Sequence, residues 1–208
     1  TVAEMRRHAA EQRALAAACR QVWLAAYIFH DDEAGLTIAA ALGAAARRGV
    51  AVHVVVDGFG SLASIARLHP RLAADGVQFG VFRPLDRWSA WLQPSQLRRL
   101  HHKLCVVDEA VAFVGGINIL DDRLDLNHGR SPRPRLDFAV ELRGPVVAQA
   151  RHLVQAFAMR AHLGQDWRSE VGALARSAQP VANTLQLLRG LRTTPAAPPA
   201  PQPPLQAL

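Results

Sequence analysis

The sequence predicts an α/β domain, a mostly parallel sheet covered by helices, and three observations carry that prediction. Aromatic and β-branched runs at 21–29, 50–56 and 77–82 read as buried strands. Between them, 33–48 and 62–74 have helical composition and stop ahead of Gly49 and Gly76. The chain has 208 residues, 50% hydrophobic and 20% charged, enough for one domain with its own core and too apolar for disorder throughout.

Taken in order, the Ala-rich, Arg-dotted stretch 1–20 favours helix by propensity and gives way to the first strand at Gln21. Asp31 and Asp32 are placed to cap the helix at 33–48, and the strand at 50–56 completes a β-α-β unit. A second helix at 62–74 leads to the third strand. The stretch 83–100 turns irregular, with Pro84, Pro94, Trp88, Trp91 and several Arg, and reads as a surface loop or short helix. Strands at 103–107 and 111–114 are joined by a turn at Asp108 and Glu109. A further strand at 136–142 follows a polar loop, and Pro145 opens an amphipathic helix that runs through Met159. Prolines at 195, 198, 199, 201, 203 and 204 make the segment from about 190 a disordered tail.

Composition excludes several classes of function. Cys19 and Cys105 are the only cysteines, too few for a disulfide framework or a zinc module, and both are expected to be free thiols. The longest apolar stretch, 14–29, is split by Arg20 and Gln21, so no spanning helix is expected. Nor does 1–13 have the apolar run of a secretory signal, although a start on Thr rather than Met reads as trimmed. The net charge is +7, and 23 of the 24 basic residues are Arg; the exception is Lys103.

That lone lysine stands inside the stretch that carries the chemistry, His101-His102-Lys103-Leu104-Cys105-Val106-Val107-Asp108, followed after six residues by Gly115-Gly116-Ile117-Asn118. Alternation along a strand sends His101 and Lys103 to one side, where both reach one anionic group, and His102 to the other. Asp108 ends the strand at a turn, where a carboxylate can fold back to orient a histidine. Gly115 and Gly116 permit close backbone approach, and Asn118 adds an amide donor. A metal site built from His101, His102 and Asp108 is disfavoured, because adjacent strand histidines point apart. Asp57-Gly58-Phe59-Gly60-Ser61 reads as a strand-to-helix turn rather than a phosphate cradle, for it lacks the third glycine of a dinucleotide fingerprint. The remaining histidines are read as ordinary structural residues.

His101-x-Lys103-x4-Asp108-x6-Gly115-Gly116-x-Asn118 resembles the signature of the phospholipase D superfamily. Flanking segments extend the resemblance over about residues 10–160: Tyr27-Ile28-Phe29-His30-Asp31-Asp32, Arg48-Gly49-Val50, the Asp57–Ser61 turn, and Asp137-Phe138-Ala139-Val140 ahead of Gly144-Pro145-Val146. They are most similar to the amino-terminal half of bacterial cardiolipin synthases.

The resemblance implies a mostly parallel or mixed sheet in a single repeat, with a catalytic half-domain over 1–176, a linker or next repeat beginning at 177–189, and the tail at 190–208. It implies phosphatidyl transfer between phosphatidylglycerol molecules through a phosphohistidine, without cofactor or metal. In that scheme His101 attacks phosphorus or protonates the leaving group, Lys103 and Asn118 hold the nonbridging oxygens, Asp108 orients an imidazole, and Gly115 and Gly116 help bind substrate. A peripheral place on the cytoplasmic face of the inner membrane follows, and Trp88, Trp91 and their neighbouring arginines suit a lipid interface.

Family members with two motifs pair two histidines, and this sequence holds one motif. The expectation is therefore a truncated half, completed by a missing second half or by a second copy. The alternatives are a single-motif homodimeric phosphodiesterase or nuclease, for which the positive charge favours nucleic acid, and a catalytically silent lipid-binding half-domain.

Overall fold

The computed structural model describes residues 2–84, 99–126 and 129–176, with the side chains of 10–84, 99–126 and 129–161. Residues 85–98 of the loop expected at 83–100, with Trp88 and Trp91, and the expected linker and tail from 177 lie outside the described residues. The elements are α1 (Val2–Ala17), β1 (Gln21–Ala26), α2 (Glu33–Arg47), β2 (Ala51–Asp57), α3 (Leu62–Ala74), β3 (Gln78–Phe82), β4 (Lys103–Val107), β5 (Val111–Gly115), β6 (Leu124–Asp125), β7 (Gly129–Arg130), β8 (Ala139–Arg143) and α4 (Val146–Arg176).

Six strands form one sheet in the order β3-β2-β1-β4-β5-β8. The expected parallel pairing joins β1 to β2 and β2 to β3. β4, β5 and β8 pair antiparallel, which makes the sheet mixed. The small β6–β7 ribbon was not foreseen, since two-residue strands leave no periodicity to read.

Alternation along the strands divides the core. Val22 and Leu24 of β1, Val52 and Val54 of β2, and Cys105 and Phe113 face a layer formed with Leu15, Ile38, Leu42, Leu68 and Leu72 of α1, α2 and α3. Trp23, Ala25, Val55, Leu104 and Val106 face the opposite layer, closed by Val147, Val154 and Ala161 of α4. The α2 cap follows expectation: Asp32 Oδ1 accepts the Gly35 N–H at 2.9 Å, while its Oδ2 accepts the Asp121 N–H at 2.7 Å and so ties the helix to the loop beyond β5.

The strand expected at 136–142 starts only at Ala139, and two further boundaries differ from expectation. β1 stops at Ala26 because Ile28 and Phe29 leave the ladder to meet the segment after β5, where the Ile28 N–H reaches Asn118 and Phe29 bridges Ile119. α4 continues past Met159 to Arg176 through a run in which three Ala, three Arg and two Leu favour helix and no proline stops it. Contacts divide the chain into Thr1–Asp166, which carries the sheet, and Trp167–Leu208, whose described part is the last stretch of α4.

The expectation for Asp108 is corrected. Its backbone, with φ 52° beside φ 59° at Glu109, closes the β4–β5 hairpin, and the turn bond runs from Ala110 N–H to Val107 O at 3.0 Å. Its carboxylate turns back to three successive N–H groups, those of Cys19, Arg20 and Gln21, at 2.8, 2.8 and 2.9 Å. Asp108 is thus committed to the junction of α1 and β1, at the end of β4 opposite His101, and orients no histidine among the described residues. The strand between them sets that separation, about 3.3 Å per residue.

Charge-assisted bonds of this kind contribute a net of about 1.5–3 kcal/mol each when buried, and less here because two of the three are exposed. Asp108→Ala is therefore expected to lower unfolding stability by about 2–4 kcal/mol in urea denaturation, whereas Glu109→Gly, which relieves a left-handed residue at the cost of the Gln21 contact, stays within about 1 kcal/mol of the parent.

Candidate active site

The antiparallel register that pairs Ala25 with Leu104 brings the end of β1 beside the start of β4. His101 lies just ahead of β4, and the chain reaches it under restraint: Asp57, fully buried at the end of β2, accepts the Leu100 N–H on Oδ2 at 2.8 Å. The other oxygen of Asp57 accepts the Phe59 and Gly60 N–H groups at 2.8 and 3.0 Å. The turn at 57–61 is thus the expected structural one, and those two N–H groups are bound within the chain rather than offered to a phosphate.

Lys103 is 5% exposed. Its Nζ lies 3.3 Å from His101 Nδ1 and 3.4 Å from Nε2, and donates to the His101 carbonyl at 3.1 Å. Burial pushes the ammonium below the ordinary lysine range, and Asp137 partly opposes that shift. The carboxylate that faces the site is thus Asp137, on the approach to β8, rather than Asp108. Gly116 makes room for it, since a Cβ at that position would overlap Asp137 Oδ1. Gly115 is needed for the packing of the strands, where a Cβ would overlap the Phe138 carbonyl on the neighbouring chain segment.

Asn118 takes its place through its oxygen, which accepts the Ile28 N–H at 3.2 Å and leaves the amide nitrogen as the donor the sequence suggested. His102 points to the other face, with its ring 4.7 Å from that of Phe157, and burial lowers its proton affinity, followed by the effects of His101 and Lys103. Among the described residues no group of three or more His, Cys, Asp or Glu side chains is placed to hold a metal ion, both cysteines are free thiols, and no helix is long and apolar enough to cross a membrane.

The arrangement gathers an imidazole, one buried cation and an amide at one end of the sheet, with a carboxylate near the cation. This suits a phosphodiester, whose nonbridging oxygens need offsetting charge while the imidazole attacks or protonates. Asp57 and Asp137 are the supports that the motif alone did not disclose. Asp137 could have been found from its place ahead of β8, as the acidic residue in the flanking segment that follows the polar loop.

Residues 12–129 match the family model described as "Cardiolipin synthase, PLD-like domain". The chain belongs to this family. Cardiolipin synthase B of Salmonella typhi is 38% identical over 135 residues, 65% of this chain and 32% of that protein. Cardiolipin synthase B of Escherichia coli K12 is 35% identical over the same shares, and cardiolipin synthase A of Pseudomonas fluorescens SBW25 is 39% identical over 59% of this chain and 25% of that protein. The matched region thus spans about a third or less of these relatives. Among solved structures, Nuc of Salmonella typhimurium, a phospholipase D family member, aligns over 70% of this chain and 82% of its own with TM-score 0.50 and 22% identity, a likeness of fold.

The burial of Lys103 has a measurable consequence. The unfolded chain binds this proton more tightly than the folded one does, so Lys103 lowers stability at neutral pH, and the cost disappears as pH rises through the ordinary lysine value of 10.5. Lys103→Met is expected to unfold at higher denaturant than the parent at pH 7, with the gap closing towards pH 11 in denaturation curves taken across that range.

Proposed function

We propose that the chain forms one half of a phosphatidyltransferase site of cardiolipin synthase type. The observation that carries the proposal is the contact of His101 with the single buried ammonium of Lys103, together with a match of 35–38% identity to cardiolipin synthases B. Asp137 and the free end of the Asn118 amide add to the reading.

In the proposed reaction an imidazole nitrogen of His101 attacks the phosphorus of phosphatidylglycerol. The bond from phosphorus to the glycerol headgroup breaks, and the departing alkoxide takes a proton from a second histidine. That histidine then removes the proton from the hydroxyl of another phosphatidylglycerol, whose oxygen displaces His101 from phosphorus and yields cardiolipin. Lys103 and Asn118 hold the nonbridging oxygens throughout.

The second histidine comes from a second half or a second copy. Leu136, Phe138 and Val140 support that pairing: they flank Asp137 and are 72%, 68% and 56% exposed, an apolar stripe of the kind that marks a contact surface. The enzyme would sit peripherally at the cytoplasmic face of the membrane, drawn to anionic lipid by its positive charge. The same net charge of +7 favours, as a second reading, a homodimeric phosphodiesterase acting on nucleic acid.

Incubation with phosphatidylglycerol vesicles and with supercoiled plasmid separates the readings. Cardiolipin formation is expected, reduced at least about a thousandfold by His101→Ala or Lys103→Met and changed severalfold at most by His102→Ala. Nicked plasmid without cardiolipin would establish the second reading, and neither product would leave a silent lipid-binding half-domain.

A further inference from the structure

We propose that Tyr27, the chain's one tyrosine, is a positioning residue whose ring face holds the ammonium of Lys103 and the imidazole of His101 in their working arrangement. The proposal rests on the reading of His101 and Lys103 as the reacting pair, and it assigns a role to a residue outside the motif.

Three contacts place the ring. Its centroid lies 4.8 Å from that of His101 with the planes tilted by 46°. The Nζ of Lys103 stands over the ring 5.4 Å from its centre, within the distance at which the negative face of an aromatic ring attracts a cation. On the side of the β2–α3 turn, a Cβ at Gly60 would lie 2.9 Å from Tyr27 Cε2 and would overlap the Tyr27 carbonyl.

The backbone around the ring is fixed as well. The Tyr27 carbonyl accepts the Ser61 hydroxyl at 3.0 Å, and the next N–H, that of Ile28, is bound by Asn118. The ring is therefore clamped between the turn behind it and the two catalytic side chains in front. Lys103 has given up most of its water, so a fixed ring face replaces part of what hydration would supply and does so without mobile dipoles. Burial and the nearby Asp57 raise the phenol's proton affinity, with Arg99 opposing, so the ring remains neutral at working pH.

The other titratable groups acting on Lys103 are His101, His102 and Asp137, while Asp57 and Arg99 act on the phenol. Because the chain has one lysine, lysine labelled at its ε-carbon gives a single side-chain resonance, and its titration reads Lys103 directly. Tyr27→Phe is the reference, and phenylalanines carrying one, three and five fluorines at position 27 then drain the ring face of charge at nearly constant shape. The midpoint is expected to fall stepwise with fluorination, by about one pH unit at five fluorines, while Tyr27→Phe stays close to the parent. A flat series overturns the proposal.

Turnover of bis(p-nitrophenyl) phosphate supplies the second readout. Tyr27→Leu is expected to lose about tenfold in kcat and Tyr27→Phe to recover most of it, and equal losses in the two variants would count against a role for the ring face. Should His101→Ala and Lys103→Met leave turnover intact, the catalytic reading fails, and the lysine titration still decides whether Tyr27 holds the cation.

Discussion

Keeping one ammonium ion charged while most of its water is removed is the constraint around which this end of the molecule is arranged. Lys103 is placed on β4, a central strand buried along its whole length, and its head emerges where β1 and β4 meet. Everything within reach answers that placement. The His101 carbonyl and ring take up hydrogen-bonding capacity, the Tyr27 face lies over the charge, and Asp137 supplies the opposite sign from β8. An isolated buried cation would shift its proton away rather than remain charged, so the partners decide whether the site has a cation at all.

Those partners come from distant parts of the chain, and this separates what the sequence disclosed from what it did not. The helices and strands of the first three βα steps were legible because each is a local pattern: alternation in β2, periodicity and caps in α2 and α3. His101, Lys103, Gly115, Gly116 and Asn118 were legible because they fall within eighteen residues at fixed spacings. Asp57 and Asp137 stand in the flanking segments, but their roles were not legible, since nothing in a linear reading says that the end of β2 will catch the Leu100 amide or that the approach to β8 will lie on Gly116. Asp108 was legible as a motif member and misread in its role. A carboxylate at a hairpin turn has two directions to fold, and three backbone N–H groups at the start of β1 outcompete a histidine at the other end of the strand.

The comparisons and the geometry bear on different levels of the argument. The family match covers β1 to β6 and stops, at residue 129, before β8 and α4. The place of Asp137 beside the cation, the exposure of Leu136, Phe138 and Val140, and the layer closed by α4 are read from the structure.

The Asp108 clasp has a consequence for how the chain reaches this state. The β4–β5 hairpin is closed by only three residues, 108–110, and can form by itself within microseconds, whereas its docking on β1 joins residues 87 to 89 apart at the clasp. The entropy of closing so long a loop is set against bonds that appear only when closure is complete. The slow event in folding is then expected to be the docking of the hairpin on the N-terminal βα units, and that same event brings Tyr27 to Lys103. A molecule arrested before it would have nearly all its secondary structure and no site.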